Sequence, residues 1–547
     1  MAMKRKQWLT AAVTVSLLST TVLSACSKSD EGKESGPAPS SNPTAASGAA
    51  AYPLKTDATL SIWGEIDATI LPLYSTRGDT PFYKELEKAT GVKVKFTHPA
   101  LNQAKEQLNI MFASGEPTDI IEFNFKDLYP GGPTKAIKDG NILKLNDLFA
   151  KYAPNLTAYL KEHPEVDRQI KTDDGSYYGF PFIRGDDFLT VYQGPIIRKD
   201  WLDELALPIP ETMDEWYTTL KAFKEKKGIE APLTFQSQPR LLEHLYNGAF
   251  IGAFGVNRSF YQEDGKVKFG PAEAGYKEFL ATFRKWYAEG LIDKNIATID
   301  SKLQTAQITS GKSGATIGNV GGGIGQWLPV LKGKDAKAQL VGAPYPVLKK
   351  GDTPKFGQKD FVASSGGFFA ISPQSKNAEL AVKYLDFGYS KEGALFYNFG
   401  KEGVGYNLDS AGYPKYSDLI INNPDKHPMV TALMLYTRAP MSPSIQDKRY
   451  GEQYFAMAEQ RSAIDAWKKT DKDKYSLPPS TPNTEESSEF AKIMNEINTL
   501  VDETTAKIIM GNEPVEYFDK YLEKLKSLKI DRAIEIQQAA MERYNKR

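Results

Sequence analysis

Apolar and polar positions alternate over residues 59–63 (TLSIW) and again over 92–96 (VKVKF). A period of two marks a half-buried strand. Residues 82–90 space their apolar positions as a helix does and stop at Gly91, a residue suited to the left-handed turn that ends helices. Residues 102–113 predict a second helix and 119–125 (DIIEFNF) a third strand. Strand, helix, strand, helix and strand within about 65 residues predict a parallel sheet with crossover helices.

The same reading extends downstream. TMDE at 212–215 is a capping box, and it opens a helix with Met213, Trp216, Tyr217, Leu220 and Phe223 on one face. Tyr276, Phe279, Leu280, Phe283, Trp286 and Tyr287 keep helical spacing up to Gly290. Stripes of this kind read as core, not as a ligand platform. Asp174-Gly175 and Asp264-Gly265 sit between alternating or aromatic segments, where they predict hairpin turns. Residues 485–547 are mostly helical in pattern with mixed charge, and the chain shows no internal repeat. The expected body is two α/β lobes with a helical C-terminal extension.

The start of the chain carries a different signal. Lys4, Arg5 and Lys6 precede an apolar stretch over 8–23 that is softened by Thr and Ser, followed by LSAC at 23–26. The stretch is too short for a comfortable membrane span and reads as a secretory signal over 1–25. LSAC resembles the lipobox of bacterial lipoproteins, which implies lipidation of Cys26 as the mature N-terminus. Residues 27–51 hold no aromatic and no large aliphatic residue, so they predict a flexible tether. No later run of about 18 apolar residues follows, so the only expected membrane attachment is the N-terminal lipid.

Composition narrows the classes. The 547 residues are 41% hydrophobic and 25% charged, which is globular. Lys plus Arg and Asp plus Glu both count 68. A phosphate-backbone binder carries a basic excess, so nucleic acid is a poor partner. Cys26 is the only cysteine, so an internal disulfide and a CxxC site are excluded. The four histidines stand too far apart for HExxH zinc chemistry.

Other chemical motifs fail on inspection. SGKS at 310–313 lacks the P-loop glycine, since Ala306 stands there. GGGIG at 321–325 lacks the GxGxxG spacing, and no GxSxG elbow occurs. Asp173-Asp174-Gly175 lacks the alternating oxygen ligands of an EF-hand loop. Asp186 and Asp187 are the one carboxylate pair placed for glycosidase chemistry. Adjacent side chains on extended backbone point to opposite faces, so a shared site is hard to build from them.

A binding surface remains. Aromatic residues meet amides or charges at several expected strand ends: Trp63 with Glu65, Phe123 and Phe125 with Asn124 and Tyr129, Phe182 with Arg184, Asn319 with Trp327, and the pair Phe368 and Phe369. Parallel α/β sheets bind ligands beyond the carboxyl ends of their strands. Aromatic rings cover the apolar face of a sugar, while amides, carboxylates and Arg bond its hydroxyls. Arg184 and Arg240 are candidates for a uronate carboxylate, and Arg198 is expected in a surface ion pair.

The runs DGSYYGFP (174–181), IRKDWL (197–202), PETMDEW (210–216) and GKEGVGY (400–406) resemble the family-1 extracellular solute-binding lipoproteins of ABC importers. The likeness is nearest to the Gram-positive subgroup similar to oligosaccharide, aldouronate and alginate binders. It implies a two-lobed periplasmic-binding-protein-like (type II) α/β fold with hinge crossings and ligand in the cleft. Implied boundaries are 53–183 plus about 362–412 for the N-terminal lobe, and about 189–356 plus 413–547 for the other, after a lipidated tether over 26–52. Crossings are implied near 180–190, near 359–369 and somewhere in 405–450. The ten residues Trp63, Glu65, Phe123, Asn124, Tyr129, Arg184, Asp186, Asn319, Trp327 and Phe368 are the expected ligand contacts. The implied partners are an oligosaccharide and ABC permease subunits, with the protein a monomer at the outer face of the cell membrane. The resemblance raises calcium, but the stretch before Tyr177 offers only Asp173 and Asp174, so no cofactor or metal is assigned. The rival readings are a polysaccharide-degrading enzyme and a non-transport sensor on the same scaffold.

Overall fold

The computed structural model describes residues 51–115, 118–363 and 367–547. The expected signal over 1–25, Cys26 and the tether up to residue 50 lie outside the described residues. Packing begins at Tyr52, whose ring meets Phe387 at 4.9 Å and whose hydroxyl donates to the Lys383 carbonyl.

The first sheet contains the three strands expected from the sequence. Thr59–Trp63 lies between Lys93–Thr97 and Ile120–Phe123, parallel to both. The helices Pro81–Thr90 and Ala104–Ser114 make the crossovers, each ending on a glycine with positive φ, Gly91 and Gly115. A fourth strand, Phe368–Ile371, arrives from far along the chain and runs antiparallel to Ile120–Phe123, with Phe368 opposite Phe123. One hydrophobic core encloses this sheet, with Leu60, Ile62, Ile120 and Ile121 essentially sealed from solvent. Helices of the 146–169 region and Ala378–Asp386 add to the same core.

The second sheet has the order Leu340–Gly342, Gln193–Arg198, Ala315–Asn319, Leu233–Thr234. Gln193–Arg198 is antiparallel to both neighbours, so this sheet is mixed. Thr212 caps the helix Met213–Lys227 through its capping box, as its four-residue signature predicts. That helix and Ala274–Ala288 bury their aromatic stripes in a second core, where Trp216, Phe223, Phe279 and Phe283 have no exposed surface. The hairpin Phe260–Glu263 and Lys266–Phe269 turns on Asp264 and Gly265, both at positive φ.

The C-terminal tail forms three helices, Glu486–Ile509, Tyr517–Ser527 and Ile530–Asn545. Ile497, Ile508 and Tyr521 place them in the second core. They also touch the first: Asp173 receives Arg543 and Arg547, and the Lys138 ammonium reaches the Thr484 carbonyl. Among the described residues no helix is long and apolar enough to cross a membrane, and no group of three or more His, Cys, Asp or Glu is arranged to hold a metal.

Three segments pass between the two cores. The strand Phe182–Arg184 pairs in parallel with Ser444–Gln446. The Arg184 amide donates to the Val362 carbonyl at 2.8 Å, which draws the second segment alongside. The segment Ser444–Gln446 thereby lies beside the other two, within the 405–450 window in which a third crossing is expected.

Candidate functional site

A cleft of about 650 Å³ opens where the crossings meet both cores. Its first wall is the loop that follows the carboxyl end of Ile120–Phe123, and this loop carries Asp127 and Tyr129. Asn124 holds the loop in shape, donating from its amide to the Asp127 carboxylate at 2.9 Å and accepting the Asp127 N–H at 3.1 Å. Tyr129 donates its hydroxyl to Asp139 and accepts from Asn141, so its ring stands fixed at the cleft edge. The floor is the crossings themselves, with Arg184, Tyr192 and Asp360. The opposite wall holds Arg240, Tyr246 and Arg258, and the helix Glu486–Ile509 adds Asn495 and Asn498.

Two neighbouring hollows extend the cleft. One of about 490 Å³ shares Lys105, Arg240 and Arg258 with it and reaches Glu65. Another of about 280 Å³ shares Arg184 and Tyr192 and runs to Asn319, Gly321 and Tyr454. Arg184 and Tyr192 thus stand between two chambers.

Arg184 is the best-connected side chain there. Its guanidinium pairs with Asp360, donates to the Leu189 carbonyl at 3.1 Å, and lies 4.8 Å from the Tyr192 ring centre and 5.2 Å from that of Phe182. Asp360 also accepts from the Tyr192 hydroxyl and the Gln358 amide. Burial alone would disfavour the Arg184 charge; the Asp360 carboxylate more than offsets this and holds the guanidinium above its ordinary value.

The ten expected contact residues divide. Glu65, Tyr129, Arg184 and Asn319 line the cleft or its extensions. Asn124 braces the loop carrying Asp127. Asp186 caps the turn at Phe188 and pairs with Lys448 at 3.4 Å. Trp63 and Phe123 lie in the first core, 4% and 5% exposed. Phe368 is fully buried, its ring 4.6 Å from that of Tyr178. Trp327 lies in the second core against Gly318, and its indole N–H donates to Thr305 at 3.2 Å. Arg198 does pair with a carboxylate, Asp200, but it is buried over the Trp201 ring and is not a surface residue.

Trp327→Ala is therefore expected to cost about 3–5 kcal/mol of stability, the usual range for emptying a buried aromatic site. Urea unfolding of the variant measures this, independently of any ligand.

Tyr192, Tyr246, Arg258, Asp360, Asn495 and Asn498 escape the sequence reading. The two asparagines were within reach of it, since their i, i+3 spacing puts them on one helix face beside Ala491 and Met494. Tyr246 and Arg258 sit in irregular loops that carry no period.

Two lobes, three crossings and a polar, aromatic cleft between them define a protein that encloses a small solute. Residues 75–395 match the family of bacterial extracellular solute-binding proteins, and the chain belongs to that family. It is similar to the fructooligosaccharide ABC transporter substrate-binding protein FusA of Streptococcus pneumoniae, 30% identical over 349 residues, 58% of this chain and 59% of that protein. It is similar as well to the polygalacturonan/rhamnogalacturonan-binding protein YtcQ of Bacillus subtilis, 26% identical over 463 residues, 81% of this chain and 84% of that one. Among solved structures, the alginate-binding protein AlgQ2 without calcium ion superposes with a TM-score of 0.76 at 27% identity, over 89% of this chain and 99% of that one.

Proposed function

We propose that this protein is the lipid-anchored receptor of an ABC importer, capturing an oligosaccharide between its lobes and delivering it unaltered to a permease. The observation that carries the reading is the cleft, whose walls come from both cores and whose floor is the three crossings. Flat rings such as Tyr129, Tyr192 and Tyr246 offer stacking faces, and Asn495, Asn498 and Arg240 offer hydrogen bonds. The names of FusA and YtcQ support an oligosaccharide as solute and an ABC transporter as partner. In this reading residues 53–183 with about 362–412 make one lobe and about 189–356 with about 413–547 the other, Cys26 carries the lipid, and the protein works as a monomer at the outer membrane face.

Capture runs through lobe closure. A ligand that touches both walls binds the closed form better than the open one, and it shifts the balance only by that difference. A micromolar ligand has about −8 kcal/mol for closure and ordering together.

The enzyme reading finds little support. Asp186 is committed to a cap and Lys448, and Asp187, which pairs with Lys359 at 3.7 Å, is not itself among the residues lining the cleft. Asp360, which does line it, is tied up by Arg184, Tyr192 and Gln358.

Calorimetric titration with neutral and acidic oligosaccharides is expected to give one-to-one binding, unchanged sugar on recovery, and a smaller radius of gyration in X-ray scattering when ligand is present. Release of shorter sugars would favour the enzyme, and binding without compaction would remove closure from the account.

A further inference from the structure

The relatives' names divide between fructooligosaccharide and polygalacturonan, so likeness alone does not choose the solute's charge. The lining of the cleft does. Seven of its side chains are Lys or Arg, and two, Asp127 and Asp360, are carboxylates.

Several of these cations have protein partners. Arg240 gives Nε and Nη2 to Glu243, and Arg258 pairs with Asp502 at 2.6 Å. Such pairs fix the direction of a guanidinium but use only part of its five-donor fork. The Nε groups of Arg184 and Arg258 are buried and have no acceptor. A buried donor left without an acceptor costs about 1–3 kcal/mol.

Lys472 completes the set. It lines the cleft, and its ammonium donates to the Lys359 carbonyl instead of to a carboxylate. Burial pushes it down to about 8; Asp360 and Asp473 resist that shift, and the Lys359 charge adds to it. An ammonium in this position is under-compensated until an anion comes within reach.

We propose that the solute is an acidic oligosaccharide, whose carboxylates meet the guanidinium and ammonium groups lining this cleft. The proposal rests on the carbohydrate-receptor reading above and sharpens it. Charge-assisted bonds from Arg are short and about twice as strong as neutral ones, and they read a planar carboxylate in two-pronged fashion. A neutral sugar offers no charge to the Lys472 ammonium or to the unused prongs of the paired guanidiniums.

The test compares di- to tetrameric uronate oligosaccharides of several linkages with their methyl esters, which keep the shape and lose the charge. Calorimetry at low and high salt is expected to show at least tenfold tighter binding of the acids, with the advantage shrinking as salt rises. Esters or neutral sugars binding as tightly as every acid would overturn the acidic assignment and leave the receptor reading standing. Failure of acids, esters and neutral sugars alike would overturn the receptor reading itself. Lys472→Met is a clean second probe, because it removes an ammonium with no carboxylate in direct contact and should not lower Tm. It is expected to weaken acid binding about tenfold and to reduce its salt dependence. Full acid affinity in this variant, with the salt dependence intact, would take Lys472 out of the site.

Discussion

Glu122→Ala is expected to destabilise the folded chain by about 3–5 kcal/mol, the usual result of removing one partner from a buried ion pair. Glu122 sits on the strand Ile120–Phe123 between two arginines: Arg77 at 2.5 Å and Arg438 at 2.9 Å. Both guanidinium side chains are nearly sealed, at 2% and 6% exposed. Without the carboxylate, two cations face each other in a dry site. Glu122→Gln tests charge apart from shape, since it keeps the volume and one carbonyl acceptor. It is expected to lose most of the same stability. The pH dependence follows from competing effects on the carboxyl. Burial pushes it up, Arg77 and then Arg438 pull it down, and the net result lies below the ordinary 4.5. A depressed carboxyl contributes stability that is present above its unfolded value and lost as pH falls through its folded one. Wild-type Tm should therefore fall below pH 4.5 more steeply than that of Glu122→Gln. Parallel acid limbs in the two proteins would show that the arginines draw their compensation from elsewhere. Arg438 lies shortly before Ser444–Gln446, so this cluster also fastens that segment to the first core.

What the residue pattern revealed follows the range of the forces involved. The strands Thr59–Trp63 and Lys93–Thr97 were legible because alternation is written into adjacent residues, and Ile120–Phe123 because a short apolar run follows the second helix in a strand–helix–strand order. The helix Met213–Lys227 was legible because its cap is four residues long and local. The pairing of Phe368–Ile371 with Ile120–Phe123 was not, since it joins residues more than 240 positions apart and FFAI has no alternation to read. Ser444–Gln446 is three residues, too short to signal a strand. The site was legible to the level of strand ends. Trp63 and Phe123 stand at the correct ends, but they face the core, and the neighbours Glu65 and Tyr129 face the cleft. Glu65 and Tyr129 lie past the ends of their strands, in loops whose direction no period fixes, so reading the strand end alone selects core aromatics as readily as cleft residues. Arg184 was singled out because it follows Phe182 at an expected strand end, where an aromatic and a charged residue come together, and it lines the cleft. Lys472 and Asn498 reach the cleft from distant helices, and only the assembled fold places them.

Arg184→Ala is expected to weaken ligand binding at least a hundredfold, about 2.8 kcal/mol, and to lower stability as well. Two separate losses combine in it. The first is at the hinge. Arg184 is paired in register with Gln446, its amide reaches Val362, and its guanidinium holds Asp360, so one residue ties all three crossings. Removing the side chain leaves Asp360 mostly buried, 15% exposed, without its cation. A cost of about 3 kcal/mol is typical for breaking such a pair. The second loss is in the site, because Arg184 and Tyr192 separate the two chambers and present the only guanidinium shared by both. Arg184→Lys distinguishes the two effects. A lysine keeps the charge beside Asp360 but not the planar fork stacked on Tyr192. Its Tm is expected to recover by more than half, while its affinity stays at least tenfold below wild type. Equal recovery of both would mean that Arg184 acts on ligand only through the hinge. Unchanged affinity in a folded Arg184→Ala protein would remove it from the binding surface altogether. The two expected losses together would make closure and recognition a single event, because Arg184 is the residue around which the three crossings are gathered.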